Sequence, residues 1–271
     1  MTGVRGGRPV AQAVLRHRGL ARLVAYGASA AFPALATNRR FVIYSTGRAG
    51  TQYLGQLLDS HPLIKFGGEL LHAPTRWPER LIKGRTVLAR RLGVNVFGVK
   101  VLRRDLTEPD RQVVDPKRFV ARMHGQGYEF IWLHRENAVL QALSRIHGET
   151  SGFHFWGRGR PRFESLTVDP GQVIAYASRF EAHAALIAED MATVPHVALT
   201  YDDDLVPDAA RIRTLERLCD LFELPYHEMT SDLVTVAPRR IADRVANYDE
   251  LVAALRGTPL ARYLEPSQPP T

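Results

Sequence analysis

The stretch FVIYSTGRAGTQYLGQLLDSHP, residues 41–62, sets an apolar run of strand length before a glycine-punctuated turn and then an amphipathic helix. A helix N-terminus presents unpaired N–H groups and the positive end of its macrodipole, so this layout suits an anion. Gly47 and Gly50 permit torsions that other residues adopt only at a cost, and they let the backbone approach a ligand closely. Thr51 and Gln52, in the predicted first turn, add side-chain donors, and Arg48 supplies a positive charge. Loops that cradle nucleoside triphosphates carry Gly-Lys-Ser/Thr, with the hydroxyl on magnesium; Gly-Arg-Ala-Gly-Thr does not match that pattern. A second group stands in EFIWLHRENAVLQALSRIHG, where Arg135 follows an apolar run and Ser144 lies on the next predicted helix. A planar guanidinium and a hydroxyl so placed could converge on one further phosphate. The spacing is equally that of a surface arginine and a helix serine with no joint task.

The elements that must position these groups follow from periodicity. Strand-length apolar runs occur at Phe41–Ser45, Leu63–Phe66, Val96–Leu102, Phe130–Leu133 and His196–Leu199. Helix-period patterns separate most of them, at Gln52–Leu58, Arg80–Leu92, Pro116–His124, Asn137–Ile146 and Val173–Met191. The alternation predicts an α/β fold, a P-loop-like central parallel sheet with helices on both faces in a single domain. Beyond the last strand, Pro207–Phe222 and Asp249–Leu255 read as helices. The segment Gly148–Gln172 reads as one long irregular stretch, either a substrate wall or disordered, with Phe153, Phe155 and Trp156 able to stack on a sugar or an aromatic ring. Residues 1–40 are expected to form an N-terminal helical extension, 41–264 the domain, and the Pro- and Ser-containing residues 265–271 a flexible tail. The extension has a basic start, a short apolar run and Ala-Leu-Ala, which on paper resembles a signal peptide. Arg22 and Pro33 bracket a run too short to span a bilayer, so an amphipathic helix packed on the domain or lying on a membrane surface is the expectation.

Composition narrows the function classes. With 271 residues and 45% hydrophobic content the chain can bury a substantial core. The formal charge of +8 points to an anionic partner or substrate. Only four of the 36 basic residues are lysine, and the arginines are scattered rather than blocked. No zinc-finger spacing or aromatic-basic RNA motif appears, so nucleic acid is not the expected partner. Cys219 is the sole cysteine and sits in LERLCDLF, a core pattern, which fits a reducing compartment.

YSTGRAGTQYLGQLLDSHP and LHRENAVLQALSRIHG together resemble the two cofactor motifs of the sulfotransferases that use 3′-phosphoadenosine-5′-phosphosulfate (PAPS). The likeness is greatest to bacterial carbohydrate sulfotransferases, such as those acting on trehalose glycolipid precursors or nodulation oligosaccharides. GGELL, FGVKVL, YDDDL and RIADRVANYDELVAALRGTPL resemble the same family in the same order, so the likeness runs over about residues 40 to 262. It implies that Arg48, Ala49, Gly50, Thr51 and Gln52 hold the phosphosulfate, and that Arg135 and Ser144 hold the 3′-phosphate. It also implies that Arg239 and Arg240 close over the nucleotide and that 3′-phosphoadenosine-5′-phosphate (PAP) is the product. No metal is expected, because the transfer has no β- and γ-phosphates to bridge.

Sulfuryl transfer to a hydroxyl needs a base for the proton and donors for the departing phosphate. Glu69, after Gly67 and Gly68, resembles the family's catalytic glutamate, although the proline-bearing form of that segment is missing here. His72 is the second candidate base. Lys100 is a candidate contact to acceptor or leaving group, or else a partly exposed residue at a sheet edge. The Asp202–Asp204 run reads as solvated or as a helix cap. In a kinase of the same architecture Asp202 would hold magnesium, and a catalytically silent nucleotide-binding module is the third possibility. The expected partner is a small-molecule or glycolipid hydroxyl acceptor, with peripheral membrane contact if the acceptor is a lipid. The expected location is the cytoplasm, where the donor is made.

Overall fold

The computed structural model describes residues 24–28, 39–73, 75–107, 114–151, 163–233 and 237–264. Five strands form one sheet: β1 (Arg39–Ser45), β2 (Ile64–Glu69), β3 (Val96–Leu102), β4 (Glu129–His134) and β5 (His196–Thr200). Their order is β2-β3-β1-β4-β5, and every pairing is parallel. β1 is central, with β3 on one side and β4 on the other, so chain connections leave to both sides of its C-terminal end. That crevice is where open parallel sheets receive ligands.

The sheet alternates as a two-residue period demands. Phe41 and Ile43 of β1 point to one face, where they meet Leu54, Leu57 and Leu58 of α1 (Thr51–Ser60). Val42 and Tyr44 point to the other, against Leu81 and Ile82 of α2 (Pro78–Arg91). All four β1 side chains are fully buried, which is why the strand reads as an unbroken apolar run. α3 (Arg104–Thr107) is a single turn after β3, and α4 (Pro116–Gly125) begins at Asp115, whose carboxylate accepts from the Lys117 and Arg118 N–H groups. α5 (Ala138–Ser151), α6 (Pro170–Met191) and α8 (Tyr248–Arg256) pack into a third apolar cluster; α7 (Asp208–Leu221) joins the α1 face, with Cys219 buried in it as expected.

The expected elements are present, with three changes of extent. β2 runs on to Glu69, because the chain resumes pairing with β3 after an irregularity between Phe66 and Glu69. α5 continues to Ser151, carried by an i,i+4 pair between Arg145 and Glu149. α6 starts at Pro170, capped by the Asp169 carboxylate, which accepts from the Gly171 N–H. The expected irregular segment 148–172 therefore has helix at both ends; Phe153, Phe155 and Trp156 fall outside the described residues. Of the N-terminal extension, 24–28 form a helical turn whose Ala25 is buried against the α2 layer, and Arg39 and Arg40 already belong to β1. The remainder of 1–38 and the tail 265–271 lie outside the described residues. Among the described residues no helix is long and apolar enough to cross a membrane.

Candidate active site

The turn between β1 and α1 has the backbone geometry an anion site needs. Gly47, Arg48 and Gly50 all have positive φ, at 88°, 56° and 83°. Successive left-handed residues turn N–H groups inward to make a concave nest. For Arg48, the one non-glycine of the three, that conformation costs about 1–2 kcal/mol. Gly50 caps α1 with no side-chain hydrogen bond and no acidic residue follows in the first turn, so the helix end is left to a ligand. A Cβ at Gly50 would lie 2.1 Å from the Tyr201 ring, so glycine is required for space as well as torsion. Gln141, 3% exposed, locks the loop: its amide donates to Thr46 Oγ1 at 2.8 Å and to the Gly47 carbonyl.

α5 and the β4 end bring the second group beside the first. Arg48 Nη2 donates to Ser144 Oγ at 3.0 Å and to the Ser144 carbonyl at 2.9 Å, so the two predicted phosphate sites are physically joined. Arg135 Nε and Nη2 donate to the two Asp202 oxygens at 3.1 Å each, and its guanidinium lies 5.2 Å from the Tyr201 ring centre. The aspartate run is thus neither merely solvated nor a simple cap. Tyr201–Leu205 form a π-helical turn held by Asp204, which accepts from the Thr200 N–H, and this aims Asp202 at the strand-end arginine. Arg244, 5% exposed, completes the cluster and donates to the Pro238 carbonyl. Burial pushes the Arg48 guanidinium below its ordinary pKa, with Arg145 and Arg135 adding repulsion. Burial, then Arg135, brings Arg244 down to about 10. Burial beside other positive charge disfavours the charged form of both guanidiniums, and an anion among them would offset that.

At the opposite end, β2 and β3 pair Glu69 with Lys100 in register, and Lys100 Nζ is 2.7 Å from Glu69 Oε2. Lys100 is not an edge residue: β3 lies inside the sheet, and the lysine is 6% exposed, tolerated there because it is paired. Glu69 Oε1 is buried and makes no hydrogen bond; the exposed His72 Nδ1 stands 3.7 Å from it. Burial raises the Glu69 pKa, but the Lys100 hydrogen bond and charge, with Arg104 and His72, outweigh it, and the carboxyl is held below its usual range. Glu69 is therefore ionised at neutral pH and keeps one oxygen to accept a proton.

A single cavity of about 440 Å³ joins both ends. Arg48, Gly50, Thr51, Gln52, Arg135 and Ser144 line it, as do Glu69, His72 and Lys100. Ala49 is fully buried and does not line it; Arg239 and Arg240 are exposed and do not line it either. Sequence reasoning passed over Arg104, Gln141, Tyr201 and Arg244. The signal for Gln141 was its place three residues before Ser144, on the same side of α5, and Arg244 lay in a segment already singled out for its arginines.

No family model and no curated protein matches the sequence. Several solved structures are similar to the chain at a low level. A sulfotransferase domain from the curacin biosynthetic pathway is 14% identical with a TM-score of 0.45, over 72% of this chain and 76% of that one. A sulfotransferase from Alicyclobacillus acidocaldarius is 12% identical with a TM-score of 0.45, over 84% and 97%. The mouse sulfotransferase SULT7A1, complexed with PAP, is 14% identical with a TM-score of 0.44, over 90% and 85%. At this level they say nothing about the activity of this chain, which has to be read from the cavity itself.

Proposed function

We propose that the protein is a sulfotransferase that moves a sulfuryl group from PAPS to a hydroxyl of a carbohydrate or glycosylated small molecule. The observation that carries this reading is the joining of two anion-binding groups, through the Arg48–Ser144 contact, in one cavity with an ionised carboxylate. The residues fit the donor: open N–H groups at the start of α1 suit a phosphosulfate, and the arginine cluster suits a further phosphate. When bound, PAPS supplies a sulfuryl group on a phosphate leaving group. The loop from Gly47 to Gln52 would hold the phosphosulfate, and Arg135 with Ser144 the 3′-phosphate. Glu69 Oε1 would take the proton of the acceptor hydroxyl as the hydroxyl oxygen bonds to sulfur and the bond from sulfur to the phosphate oxygen breaks, leaving PAP. Lys100, bound to the other Glu69 oxygen, keeps the carboxylate charged and offers positive charge to the departing phosphate. The acceptor is a small-molecule or glycolipid hydroxyl, and a cytoplasmic enzyme would meet its donor where it is made.

Two observations weigh against the other readings. A kinase would need Asp202 for magnesium, yet that carboxylate is gripped by the Arg135 fork. A silent module would have no use for a carboxylate held ionised by a buried lysine. Calorimetry with PAP, ADP and ATP, with and without magnesium, tests the proposal. PAP should bind in preference, and Arg135→Ala should weaken it about 10- to 100-fold, the loss of one or two charge-assisted hydrogen bonds. Preference for magnesium-ATP would overturn the reading.

A further inference from the structure

Two consecutive arginines leave β3 and part company. Arg103 Nε donates to Asp190 at 2.7 Å, and Tyr44 donates to the same oxygen at 2.9 Å, so Arg103 is spent on a buried structural network. Arg104 instead lines the cavity. Its Nε is buried and has no hydrogen bond, and the side chain has no acidic partner within ion-pair distance among the described residues. A buried donor left unsatisfied is costly, about 1–3 kcal/mol, unless a ligand meets it.

The position of Arg104 separates it from the donor's cations. Its charge acts on Glu69, together with Lys100 and His72. The charges acting on Arg48 and Arg244 are those of Arg135, Arg145, Glu149, Asp202 and Tyr201. At the Glu69 end, Lys100 and Glu69 neutralise one another at 2.7 Å, and among the described residues no other acidic side chain lines the cavity. Among the described residues, Arg104 is therefore the cation beside the base that has no ion-pair partner.

We infer that Arg104 anchors a phosphate or carboxylate carried by the acceptor, so that the hydroxyl is presented to Glu69 by a charged sugar derivative rather than a neutral one. The inference rests on the sulfotransferase reading and names the substrate class of the same site. A planar guanidinium distinguishes such an anion from a sugar hydroxyl by charge and by two-pronged hydrogen bonding.

The test titrates glucose 6-phosphate, glucuronate, glucose and inorganic sulfate into the PAP-saturated full chain by calorimetry. One or both charged sugars should bind and glucose should not, with phosphate and carboxylate arms telling the two anchors apart. Arg104→Gln should weaken the charged sugar at least tenfold with PAP affinity unchanged, and Arg104→Lys should restore part of it. Equal binding of charged and neutral sugars, no binding of either, or a charge preference that survives in Arg104→Gln would overturn the inference. Binding of sulfate alone would also overturn it, since Arg104 would then face the donor's sulfuryl group. Failure of PAP to bind would sink the donor reading separately, and the same sugars titrated into the free protein would still decide the Arg104 site.

Discussion

The two ends of the cavity are charged by opposite means. At the loop end, Arg48, Arg135, Arg145 and Arg244 crowd together, with Asp202 paired to Arg135 and Glu149 to Arg145. Positive charge is in excess at that end among the described residues, which is what the proposed donor would offset. At the strand end, Glu69 and Lys100 compensate each other across a β-ladder, with Arg104 standing beside the pair. On the proposed reading the two ends divide the work: crowded positive charge at one would bind the donor, and the Glu69–Lys100 pair at the other holds a carboxylate ionised.

The sharpest way to break the comparison is Glu69→Gln. Loss of the base should lower kcat by about 10²- to 10⁴-fold, while PAP affinity, set at the other end, stays the same. An equal fall in PAP affinity would mean the two ends do not work separately. The pH profile sharpens it. Because the folded carboxyl titrates below its usual range, the acidic limb of kcat/KM should lie below that of an ordinary carboxylate. The linked stability has the same sign: it is present above the unfolded pKa and lost as pH falls through the depressed folded one. Lys100→Met, which removes the largest lowering influence, should move that limb toward neutrality.

A smaller effect is expected at the loop. Gln141→Leu removes both hydrogen bonds that hold Thr46 and Gly47, so the nest is no longer preformed. At about 1 kcal/mol for each neutral hydrogen bond, PAP should bind roughly 5- to 30-fold more weakly, measured by calorimetry. The acidic limb of the pH profile should not move, because Glu69 is out of reach of the change. A shifted limb would show that Gln141 supports the whole cavity and not the donor end alone.

Much of this arrangement was legible in the sequence. The apolar runs fixed β1 and β3 closely because both are buried on both faces, and the glycine turn announced the anion site because positive φ demands particular residues. Lys100 was ambiguous because a charge in a strand is read as an edge until its cross-strand partner is known, and Glu69 pairs with it only through a ladder irregularity. Arg244 was missed in favour of Arg239 and Arg240 because nothing local says which of several arginines turns inward. Here the choice is made by the parallel bridge between Leu166 and Val245, which draws the neighbouring Arg244 against the cavity. Asp202 belongs to the same class: its role follows from a π-helical turn that no pattern of apolar residues predicts.

The smallest expected effect probes the unbalanced end directly. His147, 8% exposed, stacks on Phe163 with ring centres 4.9 Å apart and lines the cavity. Burial, then the charges of Arg48 and Arg244, hold its pKa below the ordinary histidine value. An anion bound among those arginines offsets the repulsion, so the imidazole pKa must rise on binding and a proton must be taken up. The phosphate monoesters of PAP, whose second pKa is about 6, give up protons when arginines bind them, so the readout is the difference between two proteins. Calorimetry of PAP at pH 6 in PIPES and in Tris, whose ionisation heats differ, should show the unaltered protein taking up a fraction of a proton more, net, than His147→Phe. An identical proton balance in the two proteins would place the nucleotide's charge away from His147 and its neighbours Arg48 and Arg244.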